Sequence, residues 1–462
     1  MLFRRIESQG LAHYSYLIGD QNEAVVIDPR RDCEVYVEEA ARSGYRIGTI
    51  LETHRNEDYL IGSVELAARL GAGTTEPEIW HADSQLDYQY GRPVEHEQTW
   101  QVGRLLLRAL HTPGHTPGHM SYLLHDPDGH PWMVFTGDAL FAGDVGRVDL
   151  LGQDRIDEMA GMLYETLFHT LLPLGDEIMV CPAHGSGSVC GSEIAERVWT
   201  TLGLERRHNP KLQFNSKEAF IEKLAAEEPE FPPYFHRMER LNIEGPPVLG
   251  ALPVPAPLKA SNMAKFVDDG IVVDTRMEVG FAKAHIPDAL SIWQDGLASF
   301  AGWFLPYDTR LLLVTPTDDS AEAVRTLIRL GYDQVEATLA GGMNTWHSAG
   351  QDSREINTLT TAQLCRQLDE GKQFWILDVR SEDELEREGE IRGAHHIHIT
   401  QLPGHLDEIP KQEVVIFCGT GLRSMTAASI LKREGWPTPI VILGGTAGWE
   451  STTCPLELML NV

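Results

Sequence analysis

Short apolar runs broken by turn residues dominate the N-terminal part of the chain, at residues 14–18, 24–28, 47–51, 105–110, 120–124, 132–136 and 178–181. Their length and branched or aromatic character predict strands. Amphipathic stretches at 34–43 and 63–70 predict helices, the first stopped by Gly44. Strands in both hairpin and helix-linked settings suit a layered α/β domain with two packed sheets. The pattern changes between residues 205 and 260. A capped helix is predicted over 214–228; Pro229, Pro232, Pro233, Pro246 and Pro247 follow, then a proline-rich run at 253–257. Proline at that density cannot continue regular structure and suits a semi-rigid linker.

Beyond the linker the pattern occurs twice. Ile271-Val272-Val273-Asp274-Thr275-Arg276 returns as Ile376-Leu377-Asp378-Val379-Arg380, and His285-Ile286-Pro287-Asp288-Ala289 as Glu390-Ile391-Arg392-Gly393-Ala394. The apolar run 311–314 returns at 414–417, and Gly341-Gly342 with Trp346 returns as Gly444-Gly445 with Trp449. Each copy, about a hundred residues long, alternates strand and helix as a small doubly wound α/β domain would. The expected organisation is an α/β chain of three domains, at 1–247 (including the helical and proline-rich extension), 258–354 and 355–462.

Composition narrows the partners. A chain of 462 residues is too long for one core. Its net charge of −30 argues against nucleic acid and against an anionic membrane surface. No apolar stretch approaches the length that spans a bilayer, and the first residues lack the apolar segment of a secretory signal. Six cysteines, scattered without close pairs, suit reduced thiols and a cytoplasmic location.

One cysteine stands apart. Cys418-Gly419-Thr420-Gly421-Leu422-Arg423-Ser424 follows the apolar run 414–417 and precedes a helix expected from Ser424 to Glu434. Such a loop turns backbone N–H groups toward an anion at a helix N-terminus, so Cys418 should be a good nucleophile with Arg423 adding positive charge. The bland alternative is a buried structural cysteine. Residues 357–462, with Asp378-Val379-Arg380, the Cys418 loop and the closing Gly-Gly…Trp, resemble the rhodanese family of sulfurtransferases. The resemblance implies that Cys418 accepts sulfane sulfur as a persulfide and passes it to a thiol or to sulfite. Four residues separate Cys418 from Arg423, where related phosphatase loops use five. The first copy reads Thr315-Pro316-Thr317-Asp318-Asp319-Ser320 at this point, without cysteine or arginine, and is expected to be inactive.

In the N-terminal domain, Thr53-His54-Arg55-Asn56-Glu57-Asp58-Tyr59 looks like a two-metal loop short of ligands. His111-Thr112-Pro113-Gly114-His115-Thr116-Pro117-Gly118-His119, then Thr136-Gly137-Asp138 and Cys181-Pro182-Ala183-His184, complete the set. Two imidazoles, His54 and His115, and the Asp138 carboxylate would make the facial donor set of a mononuclear iron(II) oxygenase. With Asp28 and Gly146-Arg147-Val148-Asp149, these residues resemble the metallo-β-lactamase superfamily and, more closely, its persulfide dioxygenase branch. That resemblance implies an αββα sandwich and one Fe(II) per chain on His54, His115 and Asp138. It also implies O₂-dependent oxidation of a low-molecular-weight thiol persulfide to sulfite. Thiosulfate or sulfite would be partners of the C-terminal domain, and related proteins suggest a homo-oligomer.

The family usually has histidines where Asn56 and Tyr59 stand. Asp58 and His184, left from a second site, are expected to hydrogen-bond near the pocket, with Tyr59 beside them. Arg147 is the first choice for charge toward an anionic substrate, ahead of Arg30, Arg31 and Arg55. His111 and His119 read as loop histidines, and Cys190 as a buried hydrophobe that could relay sulfur. Two other readings stay open: a zinc thioester hydrolase like glyoxalase II, and a sulfur carrier with an inert N-terminal scaffold.

Overall fold

The computed structural model describes residues 1–71, 76–191, 193–227 and 229–457. The chain divides into two compact units, Met1–Leu252 with Ile328–Gly331, and Pro253–Leu327 with Tyr332–Val462.

The first unit is built on two six-stranded sheets. In one, Leu2–Ser8, His13–Asp20, Glu23–Ile27, Arg46–Leu51, Glu78–His81 and Arg92–Pro93 lie side by side in chain order. In the other, Thr99–Val102, Leu105–His111, Met120–His125, Pro131–Gly137, Met179–Pro182 and Thr200–Thr201 do the same. Ile18, Val25, Ile27 and Leu51 from one sheet meet Leu107, Tyr122, Leu124 and Phe135 from the other in a shared core. The opposite face of the first sheet packs Val26 and Ile50 against Tyr36 and Ala40 of helix Glu34–Ser43 and Leu66 of helix Ser63–Gly71. The opposite face of the second sheet buries Leu123, Val134 and Val180 against Met159, Leu163 and Leu167. Apolar residues on both faces of each sheet thus produce four layers, αββα, as the burial of two-faced strands requires.

The region read as linker contains more structure than its prolines suggest. Ser216 caps helix Lys217–Ala225, inside the predicted 214–228 span, whose last residue lies outside the described residues. A second helix, Phe235–Glu244, begins directly after Pro232-Pro233-Tyr234. The prolines come before its first turn, where no N–H is needed for a helical bond, so they start the helix and do not break it.

The second unit holds two parallel five-stranded sheets with the same strand order. Ala256–Leu258, Val335–Leu339, Leu311–Val314, Ile271–Asp274 and Leu290–Ser291 run across the first; Asn357–Thr360, Ile440–Leu443, Val415–Phe417, Ile376–Asp378 and His395–His396 run across the second. The repeat extends to side chains. Arg276 clamps Asp274 and the Ala284 carbonyl; Arg380 clamps Asp378 and the Gly389 carbonyl in the same way. The helix that follows the Cys418 loop spans Leu422–Arg433 and starts two residues earlier than expected, because Gly421 at φ +113° serves as its N-cap. Arg423 and Ser424 therefore lie in its first turn. All six cysteines are free, and no helix among the described residues is long and apolar enough to cross a membrane.

Candidate active sites

The N-terminal site gathers where strands of both sheets end. His54 follows Arg46–Leu51, His115 sits between Leu105–His111 and Met120–His125, Asp138 follows Pro131–Gly137, and His184 follows Met179–Pro182. Ligand atoms of His54, His115 and Asp138 all lie within 4.8 Å of one another, and all three side chains are buried. The two Nε2 atoms stand 3.7 and 3.6 Å from Asp138 Oδ2.

Hydrogen bonds behind these rings fix which nitrogen faces the centre. Thr53 donates from its N–H and its hydroxyl to Asp28, each at 2.8 Å. The Thr53 oxygen, 2.8 Å from His54 Nδ1, must then accept the proton there, leaving a lone pair on His54 Nε2. His115 Nδ1 donates to the Arg147 carbonyl at 3.0 Å, which likewise leaves Nε2 to point inward. Neither Nε2 has a hydrogen-bond partner among the described residues. Two orphaned, fully buried imidazole nitrogens beside a carboxylate are costly without an occupant. The set fits a divalent metal ion.

Electrostatics agree for His54. Burial, then the neighbouring His115, push its imidazole well below the usual value, so it is neutral and able to bind metal. His115 differs: burial is the largest influence and opposes its charge, but the Glu57 carboxylate, Asp138 and the Arg147 carbonyl together outweigh it and hold the ring up to about 9. Glu57 Oε1 lies 3.2 Å from His115 Nε2. His184 sits between two acids, Nδ1 2.8 Å from Asp138 and Nε2 3.0 Å from Asp58. Burial works against its charge, yet the two carboxylates push it well above its ordinary value. His184 thus hydrogen-bonds Asp138 and makes a charge contact with Asp58, whose two carboxylate oxygens have no hydrogen-bond partner among the described residues.

The other candidates have structural posts. Tyr59 is buried and packs on the His13 ring at 4.1 Å, while Asn56 turns its amide to the His54 carbonyl at 3.3 Å. Arg147 does not supply free positive charge. Its guanidinium is committed to Asp149 at 2.6 and 2.7 Å and to the Val189 and Glu230 carbonyls, so it acts on the centre through its own carbonyl at His115. His111 is exposed and bonds the Pro117 carbonyl. His119 is buried, and its Nε2 accepts the Asp138 N–H at 3.0 Å, so it braces Asp138 and cannot also be a ligand.

Cys190 is buried 3.6 Å from Glu57, and burial pushes its thiol well up. Residues the sequence did not single out include Thr53, Glu57 and Asn242. The amide of Asn242, from helix Phe235–Glu244, bonds the Asn56 and Tyr59 carbonyls and accepts from the Ile61 N–H, tying down the loop that carries His54. Glu57 lay in view within the loop, whereas no local signal marks Asn242.

In the C-terminal domain Cys418 is buried at the head of its loop and its sulfur accepts the Gly421 N–H at 3.1 Å. The Thr420 carbonyl accepts from Gly444. Leu422 and Ser424 occupy the first turn that follows. Arg423 makes two bonds of 2.5 Å to Glu384, so its charge is shared with a carboxylate and not held free over the loop. Burial raises the Glu384 carboxyl, but the Arg423 bonds prevail with help from Ser381 and hold it at about 2. In the middle domain the matching loop is closed by acids: Asp318 accepts from the Gly341 N–H and Asp319 from the Ala321 N–H. No thiol stands there.

Residues 9–184 match the metallo-beta-lactamase superfamily, and residues 257–349 and 360–452 each match the rhodanese-like domain. The chain is a metallo-β-lactamase domain followed by two rhodanese-like domains. Among relatives, the Haemophilus influenzae hydroxyacylglutathione hydrolase is 29% identical over 228 residues, 44% of this chain and 92% of that protein. The mitochondrial persulfide dioxygenase of Bos taurus is 29% identical over 226 residues, 47% of this chain and 78% of that protein. Among solved structures, a metallo-beta-lactamase from Staphylococcus aureus subsp. aureus COL aligns with a TM-score of 0.65 at 28% identity, over 74% of this chain and 99% of its own.

Proposed function

We infer that this protein is an enzyme of sulfur metabolism that oxidises a low-molecular-weight thiol persulfide with O₂ and exchanges sulfane sulfur through Cys418. Persulfide, O₂ and water give thiol and sulfite. One Fe(II) on His54, His115 and Asp138, when bound, supplies the chemistry that brings O₂ and a thiolate sulfur together. The chain's own residues do the rest. Thr53 with Asp28, and the Arg147 carbonyl, hold each imidazole in the tautomer that presents Nε2. His184 and His119 steady Asp138 from its side chain and its backbone. The site's complete burial excludes bulk water, which protects a reactive sulfur from side reactions.

In the C-terminal domain, Cys418 attacks the outer sulfur of thiosulfate, the S–S bond breaks, and sulfite leaves with the bonding pair. An acceptor thiol then takes that sulfur from Cys418 as a persulfide and returns the cysteine. The Gly421 N–H stabilises negative charge on Sγ during both steps. A persulfide-making domain and a persulfide-consuming one on the same chain can act in sequence.

The observation that carries the first activity is the pair of orphaned Nε2 atoms facing Asp138 in a loop where Asn56 and Tyr59 replace further histidines. A zinc thioester hydrolase is the second reading, favoured by the likeness to the Haemophilus enzyme. Oxygen uptake on a panel of thiol persulfides tests the choice, together with metal analysis. The expected result is iron-dependent O₂ consumption that Cys418→Ser leaves intact with persulfide alone, with loss of the thiosulfate-dependent reaction. Bound zinc without iron, together with thioester cleavage, would overturn it.

A further inference from the structure

We propose that Arg329 is a positioning residue for the centre at His54, His115 and Asp138. This rests on the reading of those three residues as a metal site and adds a support to it. Ile328–Gly331 stands far along the chain, within the stretch that matches the first rhodanese-like domain, yet it belongs to the first unit. Arg329 closes helix Ala321–Arg329, so the carbonyls of that last turn are open to donors from elsewhere. The Leu60 N–H donates to the Arg329 carbonyl at 2.7 Å, and Arg31 Nη1 donates to the Ile328 carbonyl at 3.1 Å. The Arg329 side chain makes a fork to Asp32, with Nε and Nη2 at 2.8 and 2.7 Å from its two oxygens. Arg31, Asp32, Leu60 and Arg329 are all buried.

The residues held in this way lie on two loops that build the centre. Residues 28–33 carry Asp28, whose carboxylate accepts the Thr53 N–H and hydroxyl and so sets the tautomer of His54. Residues 53–62 carry His54 and Asp58. The loops run against each other: Arg30 and Ile61 form an antiparallel bridge, and the Gly62 N–H donates to the Pro29 carbonyl at 2.6 Å. A Cβ on Gly62 would lie 2.1 Å from the Arg30 carbonyl oxygen, so the approach leaves no slack. Arg329 bonds one loop through its side chain and the other through its carbonyl, which fixes their spacing. Two charge-assisted bonds from a planar guanidinium hold direction as well as distance. Asp32 depends on them, because a buried carboxylate stripped of its partner is costly. The other cation beside it, Arg30, stands 3.3 Å away. Supports behind metal ligands commonly change metal affinity by about 10–100-fold.

Anaerobic calorimetric titration of the full chain with Fe(II), and the visible bands of the Co(II)-loaded protein, test this on the parent, Arg329→Met, Arg329→Lys and Arg104→Met. Arg104 is the control, because it makes a similar fork to buried Asp20 at 2.9 and 3.0 Å. Asp20 ends strand His13–Asp20, whose other end, His13, bridges to His184 beside the centre. Melting temperatures of the metal-free proteins separate stability from positioning. Arg329→Met should weaken Fe(II) binding at least about tenfold and alter the Co(II) bands, with Arg329→Lys between it and the parent. Arg104→Met should lower the melting temperature, yet bind Fe(II) within about twofold of the parent and keep its bands. Parent-like affinity and bands in Arg329→Met would overturn the assignment of Arg329 alone. So would an equal loss in Arg104→Met, since the effect would then follow stability. If Arg329→Met does not fold, Arg329→Lys decides on the same two readouts. A parent chain that binds no ion would overturn the three-residue site, and this proposal with it.

Discussion

Gly445 is where a single methyl group should separate the two rhodanese-like domains. It stands at φ +61°, and a Cβ there would lie 1.7 Å from the carbonyl oxygen of Gly419 and 2.2 Å from its carbon. Gly419 belongs to the loop headed by Cys418, and real Cβ contacts essentially never fall under 3.0 Å. Gly445→Ala must push that loop away by about 1.5 Å or distort its own turn. Gly342, the matching residue of the middle domain, has φ +59° and nothing within 4 Å of a Cβ. Gly342→Ala therefore meets only the left-handed backbone penalty, about 1 kcal/mol. The pair separates strain from collision. A shift on the order of 1 Å at a reacting group costs about a hundredfold in rate. Thiosulfate-to-thiol transfer should accordingly fall about a hundredfold in Gly445→Ala and stay within about twofold in Gly342→Ala. Alkylation of Cys418 by iodoacetamide should change in step, since the loop sets the environment of the sulfur. Parent-like transfer and alkylation in Gly445→Ala would refute the reasoning.

Other consequences follow from the same geometry. Asn242→Ala removes bonds to the Ile61 N–H and to the Asn56 and Tyr59 carbonyls, all in a buried setting. It should destabilise the first unit by about 3 kcal/mol in urea unfolding and weaken metal binding. Unchanged stability would mean that the loop does not depend on this clamp. Glu384, held at about 2 against an ordinary 4.5, contributes stability that is fully present above pH 4.5 and lost as pH falls through 2. Glu384→Gln should therefore flatten the acid side of the stability profile of the second unit. It should also leave Arg423 unpaired and alter the thiosulfate KM more than the melting temperature. A parent-like acid limb would show that the Arg423–Glu384 pair is energetically idle.

The repeat was plain in the sequence because each copy must rebuild the same buried sheet, so apolar runs and the Asp274–Arg276 and Asp378–Arg380 pairs recur in register. Cys418 with its glycines was legible for a similar local reason: loop, cap and thiol lie within seven consecutive residues. His54, His115 and Asp138 could be named because each sits in its own recognisable turn. Tertiary structure decided what those residues face. It tied Arg147 to Asp149 and Arg423 to Glu384, turning expected free charges into neutralised pairs. It placed Glu57 against His115, and it brought Asn242 from a proline-led helix to hold the loop that carries His54. Propensity and periodicity are properties of neighbours in sequence, so they forecast elements and motifs. Charge pairing, tautomers and orphaned donors depend on groups that meet only after burial, and no local pattern records them.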